Sequence, residues 1–233
     1  MLDEESARVE KVLLTHWHGD HVGGVAQVRG LGEVEVRKFV SPSGKDGVEG
    51  GFVGIEDGEE FAVEGVRVRA VHTPGHTDDH VSFLVLEDGA GEDGGALFAG
   101  DNVLGHGTAV FEDLGAYMKS LEVMERLVGE GRRLFPAHGE WVGDGKGKVR
   151  EYIEHRRGRE REALEVLGRE REDGKVGWES MEVVKVVYKN YPESLHVPAE
   201  GGLRLVLRKL EGEGRVREVG GRWVLGRGEE GKL

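Results

Sequence analysis

Thr15-His16-Trp17-His18-Gly19-Asp20-His21, followed by Val22-Gly23-Gly24, is the stretch that decides the reading of this 233-residue chain. It comes directly after Val9-Glu10-Lys11-Val12-Leu13-Leu14, whose apolar, β-branched character suits a buried strand. A strand that ends and releases His-x-His-x-Asp-His into a loop delivers several nitrogen and oxygen donors to one spot. Such a spot binds metal. Imidazole with carboxylate suits zinc and its neighbours among the first-row divalent ions, whereas magnesium or calcium favours all-oxygen shells. The bland alternative is a histidine-rich surface turn. The later chain argues against it by supplying the partners such a site still lacks.

Composition sets the bounds. The length allows one substantial core plus a small appended domain. There is no cysteine, so disulfides and thiolate ligands drop out and any metal must sit among His, Asp and Glu. No run of eighteen apolar residues and no signal-peptide pattern occurs, which points away from a membrane span. The net charge of −13 is uneven: residues 1–145 hold 12 Lys plus Arg against 28 Asp plus Glu, while residues 146–233 hold 20 against 17. Because nucleic-acid affinity rests on Lys and Arg at phosphates, an acidic first part argues mildly against a polyanionic substrate.

Taken in order, residues 1–8 read as the end of a helix, and Asp20 to Arg29 as the start of another, weakened by Gly23 and Gly24. Val34–Val40 alternates as a strand and Ser41–Gly51 is a loop. Phe61–Val71 is a hairpin broken at Glu64-Gly65, and Val81–Leu86 and Ala96–Ala99 are further strands. Tyr117, Met118, Leu121, Met124, Leu127 and Val128 keep helical spacing. This alternation is an α/β layered pattern. Lys146–Asp173 reads as one charged helix too polar for a core, bridging two domains. Two amphipathic helices (Ser180–Tyr188, Leu203–Leu210) and a hairpin turning at Gly220-Gly221 then give a winged-helix order. The expected divisions are therefore 1–145, 146–173 and 174–233.

His16-x-His18-x-Asp20-His21, His72-Thr73-Pro74-Gly75-His76-Thr77, Phe98-Ala99-Gly100-Asp101 and Pro136-Ala137-His138-Gly139 together resemble the motifs of the metallo-β-lactamase-fold hydrolases. Thr77-Asp78-Asp79-His80 and the stretch from Gly100 to Leu114 narrow the likeness to β-lactamase-like protein 2 and its fungal relatives, which include acyl-carrier-protein thioesterases of polyketide pathways. The resemblance implies an αββα sandwich with a small C-terminal winged-helix domain. It also implies two zinc ions, one held by His16, His18 and His76 and the other by Asp20, His21 and His138, with Asp101 bridging. Such a pair lowers the pKa of a shared water to roughly 7, making a bridging hydroxide available as nucleophile without Ser or Cys. Asp20 is the residue expected to be needed for catalysis. His80 is a candidate to hydrogen-bond either a metal ligand or the substrate, and His106 is a candidate substrate contact because flanking glycines let substrate approach the backbone. His72 is expected to be structural and Trp17 to be packing or a pocket wall.

The leading activity implied is hydrolysis of an acyl thioester, with a polyketide on an acyl carrier protein as substrate, since a thiolate leaves with little help. The alternative is single-strand endoribonuclease activity, as in the animal relative, with RNA as partner. A third reading is an inactive fragment: relatives carry several dozen residues before the first metal motif, and here only Met1 to Lys11 precede it. N-terminal strands of the sandwich are therefore expected to be missing, and the chain alone to be poorly soluble. Location is expected to be cytoplasmic, with a mitochondrial address left open.

Overall fold

In the computed structural model, which describes residues 8–89 and 91–227, the strand ahead of the histidine motif is β1, Lys11–Leu13. It pairs in parallel with β2, Glu35–Lys38, which pairs in parallel with β3, Val53–Gly54. The connection from β1 to β2 holds two short helices, α1 (Gly19–Val22) and α2 (Val25–Arg29), where one helix was expected from Asp20 to Arg29. The break falls at Gly23-Gly24, where the high backbone entropy of two adjacent glycines opposes helix continuation. The helix read over residues 1–8 falls almost wholly on residues 1–7, outside the described residues, and Arg8 is not helical.

A second sheet has the order β4-β5-β6-β7-β8: Glu60–Val63, Val66–His72, Val81–Asp88, Leu97–Gly100 and Leu134–Pro136. The β4–β5 hairpin turns at Glu64-Gly65 as its sequence implied, with Gly65 at φ +79°. The first three pairings are antiparallel and the last, β7 with β8, is parallel. It follows that β5, β7 and β8 run in one direction, so the segments after His72, Gly100 and Pro136 emerge at one edge of the sheet. Sequence and topology thereby bring His76, Asp101 and His138 to the same end.

Two apolar clusters place the layers. Leu13 and Phe39, from the first sheet and its exit, pack with Ile55, Ala70, Val81 and Phe83. Leu14, Val22, Val25 and Val36 form the other cluster, between the first sheet and its two short helices. Helix α3, Leu114–Leu127, starts on Asp113, whose carboxylate accepts the Ala116 N–H. Tyr117, Leu121 and Met124 on its apolar stripe are fully buried. The Tyr117 hydroxyl donates to Asn102 O (2.5 Å) and Ser120 Oγ to Pro74 O (2.6 Å), which tie α3 to the turns carrying Asp101 and His76.

The chain divides into two compact units between Tyr152 and Ile153. Helix α4, Gly145–Leu167, contributes its first residues to the first unit and the remainder to the second, and ends six residues before the expected Asp173. Its apolar residues are few, yet Val149, Tyr152, Ile153, Ala163, Leu164, Val166 and Leu167 are all buried, so the expectation that the helix is too polar for a core is corrected. Polarity averaged over the helix concealed them, and Glu160 is buried among them because Lys209 meets its carboxylate at 2.6 Å. Within the second unit, α5 (Ser180–Val187), α6 (His196–Gly212) and the antiparallel pair β9 (Val216–Val219) and β10 (Arg222–Leu225) follow the winged-helix order, turning at Gly220-Gly221. Val183, Val184, Leu207, Leu210 and Trp223 make its core. Among the described residues no helix is long and apolar enough to cross a membrane.

Candidate metal centre

Four chain segments converge: the β1–α1 connection, the β5–β6 turn, the end of β7 and the turn after β8. His16, His18, His76 and Asp101 place one donor atom each within 4.8 Å of one another, and Asp20, His21 and His138 form a second such group. His16 Nε2, His18 Nδ1 and His76 Nε2 make a triangle with sides of 2.9, 3.0 and 3.2 Å. Three ring nitrogens at such spacing cannot all be satisfied by one another. The His76 Nδ1 donates to Val110 O at 2.8 Å, so in the neutral ring Nε2 carries only a lone pair. A tetrahedral shell with metal–nitrogen bonds of about 2.0–2.1 Å has edges of about 3.3 Å, close to this triangle.

Asp101 faces both groups. Its Oδ2 lies 3.9 and 3.6 Å from Nε2 of His16 and His76, and its Oδ1 lies 3.4 and 3.5 Å from Nε2 of His21 and His138. Oδ1 of Asp101 and Nε2 of His21 are buried without hydrogen-bond partners. Two orphaned polar atoms that face each other are costly unless a cation completes them, so the residues present fit a divalent metal at each group. In the second group Asp20 Oδ2 lies 3.1 Å from His138 Nε2 and 3.7 Å from His21 Nε2. Here the site opens: the side chains of Asp20 and His138 are 58% and 43% exposed, against 0% for His16.

The surroundings fix tautomers and charge. Thr15 Oγ1 sits 3.0 Å from His16 Nδ1 and 3.1 Å from His21 Nδ1, so one hydroxyl orients both rings from behind. The backbone N–H of Asp101 donates to His80 Nε2 at 3.1 Å, which makes Nδ1 of that ring the protonated nitrogen, donating to Thr73 Oγ1 at 2.9 Å. Thr73 in turn lies 3.0 Å from Ser82 Oγ. Burial, followed by crowding with His80, His21, His76 and His18, drives the His16 pKa far below the usual imidazole range. Burial also lowers His76, against its Val110 bond and the Asp101 charge, and pushes His80 down to about 3. For Asp101 burial is opposed and outweighed by the nearby His21 ring, with His76 and His138, and its carboxyl lies below the ordinary range. Neutral imidazoles beside an ionised carboxylate are the protonation states that metal binding requires.

The expected donors His16, His18, Asp20, His21, His76, Asp101 and His138 are thus brought together. His80 is adjacent but fully buried with both ring nitrogens engaged, so of its two expected roles the substrate contact is corrected and the bond to a metal ligand, here the Asp101 backbone, is the one present. His106 is exposed and packs on the His138 turn, where a Cβ on Gly139 would come within 2.9 Å of its ring. Tyr152 holds its loop by accepting from Leu104 N (3.1 Å) and donating to Gly107 O (3.0 Å). His72 stands apart from the cluster, stacked on Phe39 at 4.0 Å with Nε2 2.9 Å from Asp78 O. Trp17 meets His18 edge-on and carries Lys45 above its ring. Sequence reading missed Thr15 and Thr73, whose signal is only that a hydroxyl lies beside a histidine in a turn. It also missed Lys38, a buried cation beside the turn that carries His76.

A two-part His/Asp centre at one end of such a fold is a candidate metal site, and the chain belongs to the metallo-beta-lactamase superfamily, a hydrolase family, which it matches over residues 2–138; residues 180–223 match the beta-lactamase associated winged helix domain. It is 41% identical over 228 residues to the beta-lactamase-like protein 2 homolog of Drosophila melanogaster, covering 93% of this chain and 73% of that protein. It is also 41% identical over 203 residues to the lactamase-like protein nscB of Trichophyton rubrum, covering 83% of this chain and 59% of that one. A beta-lactamase domain protein from Burkholderia ambifaria shares the fold with a TM-score of 0.76 at 16% identity, over 95% of this chain and 75% of that structure.

Proposed function

We propose that the protein is a dinuclear zinc hydrolase of acyl thioesters, with an acyl chain on a carrier protein as the leading substrate. The observation that carries the metal reading is Asp101, whose two oxygens face the two donor groups separately. In this reading His16, His18 and His76 hold one ion, Asp20, His21 and His138 hold the other, and Asp101 is shared. Two such ions, when bound, supply Lewis acidity that lowers the pKa of water to about 7 and polarises a carbonyl or phosphoryl oxygen. The chain's own residues do the rest. Thr15 and Val110 O orient the imidazoles, and His80 fixes Asp101 through its backbone. Asp20, at the open side with Oδ2 3.1 Å from His138 Nε2, is the carboxylate that would accept a proton from the attacking water. His106 lies beside His138 at the same opening and is placed to touch the acyl chain or its carrier arm.

Thioester is favoured over RNA on two grounds. The leaving thiolate needs little protonation, so no strong general acid is demanded of the site. In the second unit Arg204 pairs with Glu200, Arg208 with Glu211 and Glu218, and Arg222 with Glu179 and Glu182, which lowers the charge these three offer to phosphates. The discriminating experiment offers an acyl-thioester mimic and, separately, a labelled single-stranded RNA to the zinc-loaded protein and to Asp20→Ala. Thioester turnover lost in the variant supports the proposal. RNA cleavage lost in the variant, with no thioester turnover, replaces it by the endoribonuclease reading.

A further inference from the structure

We propose that the buried ion pair between Lys38 and Asp79 is a positioning element of the metal centre, locking the sheet that delivers His16 and His18 to the turn that delivers His76. The inference rests on the metal reading above. Lys38 is the last residue of β2 and fully buried. Its ammonium donates to Asp46 Oδ1 at 2.9 Å and to Phe39 O at 3.0 Å, and it lies 2.7 Å from Asp79 Oδ2, which has no hydrogen-bond partner and so is held by charge alone. Asp79 is equally buried, and its Oδ1 accepts the Thr77 hydroxyl at 2.7 Å.

Stability alone does not account for such a pair. Removing an ammonium and a carboxylate from water costs several kcal/mol per ion, and apolar replacements of similar volume are often as stable or more so. What an ion pair provides and an apolar pair does not is an attraction between two specified groups, one on each segment. Lys38 ends a strand whose neighbour β1 stops three residues before the first histidine, with Leu13 opposite Arg37 and Leu14 N donating to Arg37 O at 2.9 Å. Asp79 lies between His76 and His80. Its neighbour Asp78 repeats the link, accepting from Ser41 Oγ and Ser43 N at 2.8 Å each. The consequence is geometric: His16 and His76 come from segments 60 residues apart yet hold their nitrogens 3.2 Å from each other. A donor set must be held within about 0.5 Å to keep its function, and the fixed link supplies that tolerance.

The test is the full chain carrying Lys38→Met with Asp79→Leu, which keeps the volume and removes the charges, alongside Asp79→Asn. Metal affinity is measured by competition with a chromophoric chelator, and the cobalt-loaded forms by visible absorption. The expected result is a variant that still melts cooperatively but binds metal at least tenfold more weakly, within the roughly 10–100-fold range of ligand-orienting partners, and shows altered cobalt bands. Affinity within about twofold of the parent with identical cobalt bands would overturn the proposal, since outer partners of metal ligands change affinity by more than that. If the double variant does not fold, the same thresholds apply to Asp79→Asn; if neither folds, the pair is a requirement of the fold and the proposal is wrong. Parent protein that binds no metal would instead strike the reading beneath it.

Discussion

Replacing His80 by alanine isolates the support behind Asp101 without touching any of the seven donors. The ring is fully buried, accepts the Asp101 N–H at 3.1 Å and donates to Thr73. Its loss leaves a buried backbone N–H unpaired, which costs about 1–3 kcal/mol, while Thr73 retains Ser82 and adds little. The missing ring leaves a cavity worth about 1–2 kcal/mol more. The total of about 2–5 kcal/mol lowers the melting temperature by about 5–15 °C for a domain of this size. Because Asp101 faces both donor groups, metal affinity should fall about 10–100-fold as well. Thermal unfolding of the metal-free protein, followed by circular dichroism, reads the first effect, and chelator competition the second. A variant that melts within about 2 °C of the parent and holds metal as tightly would refute the reasoning, because a lost buried partner cannot be that cheap.

Acid should destabilise the metal-free protein well above the carboxylate range. His80 is held down to about 3 by burial, with His16 also strongly lowered, whereas the unfolded chain protonates these rings near 6.5. Between those values the unfolded state binds more protons than the folded one, so stability falls as pH drops through that window; denaturant midpoints that do not change between pH 7.5 and 5 would contradict this. Gly75→Ala should abolish cooperative folding of the first unit, because Gly75 has φ +131° and a Cβ there would lie 2.3 Å from the Tyr117 backbone. A normal melting curve for that variant would show that the His76 turn is not pinned as described. Tyr152→Phe should cost about 1–2 kcal/mol and raise KM more than it lowers kcat, since the hydroxyl holds the loop bearing His106. An unchanged KM would remove His106 from the substrate path.

Much of this site was legible in the sequence because short motifs carry it: each donor lies within a few residues of a strand end, and strand ends are marked by glycine, proline or a switch from apolar to polar residues. The convergence of His76, Asp101 and His138 at one edge needed the strand directions, which local patterns do not state. Lys38 was hidden for a different reason. In Glu35-Val36-Arg37-Lys38 it looks like one more charged residue on a solvated strand, and only pairing with a residue 41 positions later reveals it as buried. The charged stretch of α4 failed likewise, because average polarity said nothing of the stripe formed by Val149, Ile153 and Ala163. His80 was ambiguous because a histidine between an aspartate and a strand has the same pattern whether it faces inward or outward.

Metal stoichiometry tests the central claim most directly. Protein purified, stripped and reloaded with zinc, then measured by elemental analysis after removal of free ions, should hold two equivalents per chain, falling when His76, Asp101 or His138 is replaced by alanine. Fewer than one equivalent in folded protein would contradict the account.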